Sequence, residues 1–203
     1  MQWICLTSPT DSPPAAEQTP EWLVSGSVRC AEEVARLGPI ACVHHGNDTE
    51  VVWRAGKIDL LRDYLNKVHD FGFLAGVSLH DPLVLETIES RGWPVDFYMT
   101  SFYFQTRAPE DFKKDFGMVP VGETYVSEDP PRMCKVIRQV SKPCLAFKVL
   151  SAGRRCEPPA EVRQAFEFAY HNIKPTDAVI VGMYPRDSDQ VGENTKAVRN
   201  ILS

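Results

Sequence analysis

The chain has 203 residues, of which 43% are hydrophobic and 24% charged, with a formal net charge of −5. This is enough apolar material for a sizeable core and excludes wholesale disorder. The acidic balance gives no electrostatic reason to expect nucleic acid or a membrane surface as partner, and no run of about 18 apolar residues spans a bilayer.

Six short apolar runs recur along the chain: Trp3–Leu6, Ile40–His44, Leu74–Ser78, Phe97–Phe102, Cys144–Leu150 and Ala178–Met183. Continuous apolar runs without alternation suit a parallel sheet covered on both faces. Helical spacing follows them. Val24, Val28, Ala31 and Ala35 mark one face, and Ile58, Leu61, Leu65 and Val68 a second. Met133, Val136, Ile137 and Val140 mark a third, and Val162, Ala165, Phe166 and Ala169 a fourth. Asp81-Pro82 and Asp129-Pro130 read as helix starts, while Gly38, Gly72 and Gly92 fall where helices should stop. Thr7–Pro20 reads as a surface loop. Gln105–Glu128 reads as an irregular connection, long enough to act as a lid.

Strict β-then-α alternation predicts right-handed crossovers in either an open doubly wound sheet or a barrel. No Gly-rich phosphate fingerprint follows the first strand, which favours the barrel. The expected fold class is therefore α/β and TIM-barrel-like, with six βα units forming part of a (βα)₈ barrel over residues 1–203. Six units leave parallel edges open. Such edges call for two further N-terminal units, a homo-oligomer, a partner segment or an unusual closure.

The six cysteines form no C-x-x-C pair, and Cys5, Cys42 and Cys144 lie inside the apolar runs. They read as buried thiols in a reducing compartment, and no basic segment with an apolar stretch marks a secretory signal. A cytoplasmic location is the expectation.

In a barrel, side chains at the C-terminal ends of strands converge on one pocket. His44, His45, His80, Tyr103, Lys148 and Arg186 fall at such ends. Strand alternation sends His44 and His45 to opposite sides, so only one of them can face that pocket. His45 and His80 on adjacent strands are imidazoles of the kind that bind zinc or iron. No third ligand is evident, since Asp81 reads as a helix cap. Lys148, inside an apolar strand, must be paired, desolvated or pocket-facing, and a desolvated lysine serves as base or nucleophile. Arg154, Arg155 and Arg186 lie where barrels often bind phosphate. Phe102, Tyr103 and Phe104 read as core or pocket wall, and His69 and His171 as structural.

Five motifs carry a family resemblance: Ile40-Ala-Cys-Val-His-His-Gly46, Gly76-Val-Ser-Leu-His-Asp-Pro82, Asp96-Phe-Tyr-Met-Thr-Ser-Phe-Tyr103, Phe147-Lys-Val-Leu-Ser-Ala-Gly153, and the run from Ile180 to Asn194. In this order, from Ser27 onward, the chain resembles the aldo/keto reductase superfamily of barrels, strands four to eight. The resemblance implies a histidine at His45 with His80, Lys148 and Tyr103 in the pocket. It also implies an NADP(H) site around Gly182, Arg186, Gln190 and Asn194. The departures are as specific. The family's catalytic tyrosine and aspartate belong to units not found here, and Leu6-Thr-Ser-Pro9 stands where its lysine is expected.

Three readings follow. One is a barrel enzyme or enzyme remnant acting on a small carbonyl, sugar or sugar-phosphate substrate. A second is a non-catalytic barrel fragment completed by a partner chain. The third is a metal-dependent isomerase or hydrolase with His45 and His80 as ligands.

Overall fold

The structure, a computed structural model, describes residues 2–203. Six strands form one sheet: β1 (Ile4–Thr7), β2 (Ala41–His44), β3 (Leu74–Leu79), β4 (Phe97–Ser101), β5 (Cys144–Phe147) and β6 (Ala178–Val179). Every pairing is parallel and the spatial order is the sequence order. A doubly wound sheet would reverse its strand order at a switch point. None occurs among these six strands, so the winding is that of a barrel wall.

Eight helices accompany the strands: α1 (Pro20–Val34), α2 (Gly46–Arg54), α3 (Leu60–Asp70), α4 (Pro82–Ser90), α5 (Pro109–Phe116), α6 (Asp129–Ile137), α7 (Pro159–Asn172) and α8 (Gln190–Leu202). Alternation along each strand separates two layers. Cys42, His44, Ala75, Val77, Leu79, Tyr98, Thr100, Cys144 and Ala146 are buried, on the side that carries the main core. Leu61, Leu65, Leu85 and Ile88 of α3 and α4 are fully buried in that core, each stabilising the fold by about 2 kcal/mol. The opposite face carries only a thin apolar patch of Ala41, Val43 and Phe97, flanked by Met99 and Leu145. Gly76 makes room there: a Cβ would stand 2.7 Å from the Phe97 ring. At the β1 edge Ile4 and Leu6 of the sheet are 42% and 47% exposed.

The punctuation reads as the sequence implies in most places. Asp81 caps α4, accepting from Leu83 N–H at 2.9 Å. Gly38, Gly72 and Gly92 take positive φ after their helices. All six cysteines are free thiols, and burial pushes Cys42, Cys134 and Cys144 up to about 12.

Four expectations need correction. The run Cys144–Leu150 leaves the sheet at Phe147, because Lys148 turns the backbone with φ +63°. With β5 that short, β6 can pair over two residues only, and Ala178–Met183 is otherwise irregular. Asp129 does not cap α6. Its carboxylate takes the Arg107 guanidinium instead, and Glu128 holds the cap position. The stretch 105–128 is not irregular throughout, since it contains α5, with Pro109 at its start and Gly117 in the left-handed region at its end. A further helix, α2, follows β2 directly and was not anticipated.

Candidate functional site

The adjacent histidines separate as strand alternation requires. His44 is fully buried on the helix side, its Nδ1 2.9 Å from Thr49 Oγ1 and its ring edge-on to Tyr64 at 5.0 Å. Burial pushes its pKa down to about 4, with the Asp48 charge opposing the shift. It is a neutral core residue at ordinary pH. His45, half-buried, takes the position before α2, with its Nδ1 3.8 Å from Asp48 Oδ1. Asp48 also accepts from the Ser8 hydroxyl at 2.7 Å. Burial alone would raise the Asp48 pKa, but His45 and Ser8 hold it below the ordinary carboxylate value.

A second imidazole–carboxylate pair stands beside the first. Glu50, on α2, is 1% exposed. Its Oε1 accepts from the backbone N–H groups of His80 at 2.5 Å and Asp81 at 2.8 Å. Its Oε2 lies 3.5 Å from His80 Nδ1, and neither atom has a hydrogen-bond partner. Desolvation pushes Glu50 up, yet the His80 imidazole and these amides more than offset it, so the carboxyl ionises below its ordinary range. The neighbouring Asp81 moves the other way, raised by burial and by the Glu50 charge. Gly46 permits the arrangement. A Cβ there would stand 2.8 Å from His80 Cε1 and 3.1 Å from Ser78 Oγ, so His80 packs close against backbone that glycine leaves open. The far side of the ring meets Phe147, edge-on at 5.8 Å.

Unsatisfied polar atoms concentrate in the same place. Of nine buried side-chain N or O atoms without a hydrogen-bond partner among the described residues, six follow β2, β3 and β4 directly: His45 Nδ1, Glu50 Oε2, His80 Nδ1, Gln105 Nε2, Thr106 Oγ1 and Arg107 Nη1. A buried donor or acceptor left unpaired costs about 1–3 kcal/mol, so a local excess of them calls for a reason. His80 and Asp81 line a cavity of about 400 Å³ that runs between α4 and α6, with Arg107 and Asp129 in its wall.

The other sequence-derived candidates lie elsewhere. Tyr103 is buried beyond Phe102, in contact with a separate cavity, and its hydroxyl accepts from Ser151 Oγ at 2.5 Å. Its phenol is therefore engaged away from the two imidazoles. Lys148 lies 4.0 Å from Glu123 of the long connection, 30% exposed, beside Phe147 and Gly182 in a third cavity. Arg154 stacks on Tyr125 at 4.1 Å and Arg155 lies 3.4 Å from Glu161. His69 pairs with Asp96 at 2.7 Å as a structural contact, and His171 is an exposed residue of α7. No group of three His, Cys, Asp or Glu side chains among the described residues is placed to hold a metal ion, so His45 and His80 gain no third ligand.

Gly182, Gln190 and Asn194 do share one cavity, of about 960 Å³, but Arg186 is exposed and its guanidinium reaches only the Tyr184 hydroxyl, at 3.5 Å. That cavity does not fit the diphosphate of NADP(H). Its cation, Arg163, is bound to Glu167, and Glu157 and Glu193 add negative charge. The start of α8, which would cradle a phosphate, is capped by the Asp189 carboxylate, which accepts from Gly192 N–H at 3.0 Å.

Asp48, Glu50 and Arg107 escaped the sequence reading. The signal for the first two was available: Gly46-Asn-Asp-Thr-Glu50 places Asp48 in the first turn of a helix just after a histidine pair, with Glu50 following it. Arg107 had no local signal, since its partner Asp129 lies 22 residues away.

No family model matches the chain, and no curated protein sequence matches it. Among solved structures it is similar to a mutant form of an O-GlcNAc hydrolase from Thermobaculum terrenum, at 10% identity and a TM-score of 0.55, over 99% of this chain and 45% of that one. It also aligns with phospho-2-dehydro-3-deoxyheptonate aldolase from Thermotoga maritima, at 9% identity and a TM-score of 0.45, over 98% of this chain and 48% of that one. The chain spans less than half the length of either. The first likeness, together with the sequential parallel sheet, shows a TIM-barrel-like α/β fold and not membership of the aldo/keto reductase superfamily.

Proposed function

We propose that the chain is a barrel enzyme that moves protons on a small hydroxylated carbonyl compound, a sugar or sugar-phosphate, in an isomerase- or lyase-type reaction. The observation that carries this reading is the pairing of two imidazoles with two ionised carboxylates at the ends of β2 and β3, amid buried polar atoms that lack partners. Strand ends on this face are where barrels place their chemistry. Enolisation needs a base at the carbon that bears the acidic proton and a donor at the carbonyl oxygen. One imidazole takes the proton from carbon, and its carboxylate stabilises the imidazolium that forms. The other delivers a proton to the carbonyl oxygen, giving a neutral enediol. Delivery of a proton to the former carbonyl carbon, with loss of the proton from the neighbouring hydroxyl, completes an isomerisation with no net redox change. Return to the original carbon gives exchange alone.

This centre does not call on the tyrosine–lysine pair of the reductases. The test is proton exchange. The purified chain is incubated in D₂O with a panel of small aldoses, ketoses and their phosphates, and loss of the α-carbon proton signal is followed by NMR. Protein-dependent exchange with at least one compound is expected, reduced at least about 100-fold in His80→Gln. Exchange that persists unchanged in His80→Gln would sink this assignment.

A further inference from the structure

The cavity between α4 and α6 holds a charge arrangement that the proton-transfer centre does not use. Arg107 is buried, its side chain 3% exposed. One arm of the guanidinium, Nη2, donates to Asp129 Oδ1 at 2.6 Å, while Nη1 is buried without any partner. Three rings hold the group: the Phe104, Phe112 and Phe116 centroids lie 4.9, 5.8 and 5.4 Å from its central carbon. Two of those rings come from α5, so that short helix fixes the orientation of the guanidinium. Aromatic faces stabilise the charge but offer no hydrogen-bond acceptor of the carboxylate kind.

Further charged side chains line the cavity. Arg132 and Lys135 line it from α6, and neither makes a salt bridge among the described residues. Its acids are Asp81, Glu86 and Asp129. Both oxygens of Asp129 are taken, by Arg107 and by the Phe104 N–H at 3.2 Å. Asp81 is engaged in capping α4, and burial raises its pKa. Asp81 and Glu86 thus balance the two cations of α6 in number, and the free valence left in the lining is Arg107 Nη1. A planar guanidinium with one arm paired and the other buried without a partner is suited to a carboxylate or phosphate oxygen.

We infer that Arg107, with Arg132 and Lys135, binds the anionic group of the substrate, a phosphate monoester or a carboxylate, in the cavity that His80 borders. The inference rests on the reading of His80 as part of the reactive centre, and it narrows that substrate to an anionic one. Anion binding itself is measured without turnover, so the two readings fail separately.

The experiment titrates the full chain with inorganic phosphate and, in parallel, with acetate, following the side-chain Nε–H signals of its arginines by NMR. Saturation in the millimolar range is expected for one of the two anions, and which one names the group. Arg107→Lys keeps the charge and removes the fork, and should weaken binding about tenfold or more. If that variant does not fold, Arg132→Gln with Lys135→Gln, on the exposed side of α6, tests the same site and should also weaken it. Absence of saturation with both anions overturns the inference. So does unchanged binding in a folded Arg107→Lys, or in the α6 double variant. Anion binding that survives while proton exchange is never seen would retain this site and remove the function proposed above.

Discussion

The ends of β2, β3 and β4 and the stretch from β5 to α8 are built from the same βα unit, yet they are packed differently. In the first, His44, Thr49, Glu50, Ser78 and His80 are all buried, and Glu50, Asp48 and Asp129 tie helices α2 and α6 to the segments that follow β3, β1 and β4. In the second, β6 pairs over two residues, Tyr184 is 64% exposed and α8 has no buried residue. Desolvation distinguishes them. A carboxylate facing an imidazole in a dry wall changes its proton affinity and keeps its geometry, whereas the same groups in water are screened. Residues with catalytic names in a solvated loop therefore count for less than unnamed acids in a packed one.

The sharpest way to break this comparison is to remove the acid that ties α2 to β3. Glu50→Ala leaves the His80 and Asp81 amides without an acceptor and should cost about 4 kcal/mol of stability by urea denaturation. Glu50→Gln keeps an acceptor oxygen and should cost about half as much, yet still reduce proton exchange.

A pH series sharpens the comparison next. The folded pKa of His44, about 4, lies below its ordinary 6.5. The unfolded chain therefore takes up the proton first as pH falls. Stability is intact above pH 6.5 and declines between 6.5 and 4, by on the order of 3 kcal/mol at the lower end. Glu50, also depressed, adds to the loss as pH falls through the carboxylate range. In His44→Gln, unfolding midpoints should lose the part of the slope that lies between pH 6.5 and 4.5.

Gly46→Ala comes third. The added methyl would press on the His80 ring, at a cost of about 2 kcal/mol, and displace the imidazole from Glu50. Smallest of all, Arg186→Ala and Asn194→Ala in the solvated half should each change stability by less than about 0.5 kcal/mol. Both should leave exchange unaltered, and NADPH should fail to quench tryptophan fluorescence in the micromolar range.

The strand count, the parallel sheet and the helix faces could be read directly, because uninterrupted apolar runs and 3.6-residue spacing are local signals. The limits of β5 and β6 could not. Lys148-Val-Leu150 continues an apolar run, and only the left-handed turn at Lys148 shows that the strand has ended. His45 and His80 stood out as histidines at strand ends. Glu50 did not, since an acid on a helix usually faces solvent, and its burial depends on two amides 30 residues further on. Asp129 was misread for the opposite reason: its local pattern, acid before proline, is that of a cap, and a distant arginine takes its carboxylate instead.

The most direct test of where the ligand lies is a backbone amide map of the folded chain titrated with a triose phosphate. Saturable shifts concentrated at Gly46, His80, Asp81 and Arg107 are expected. Shifts centred on Gly182, Gln190 and Asn194 would contradict it and return the site to the solvated half.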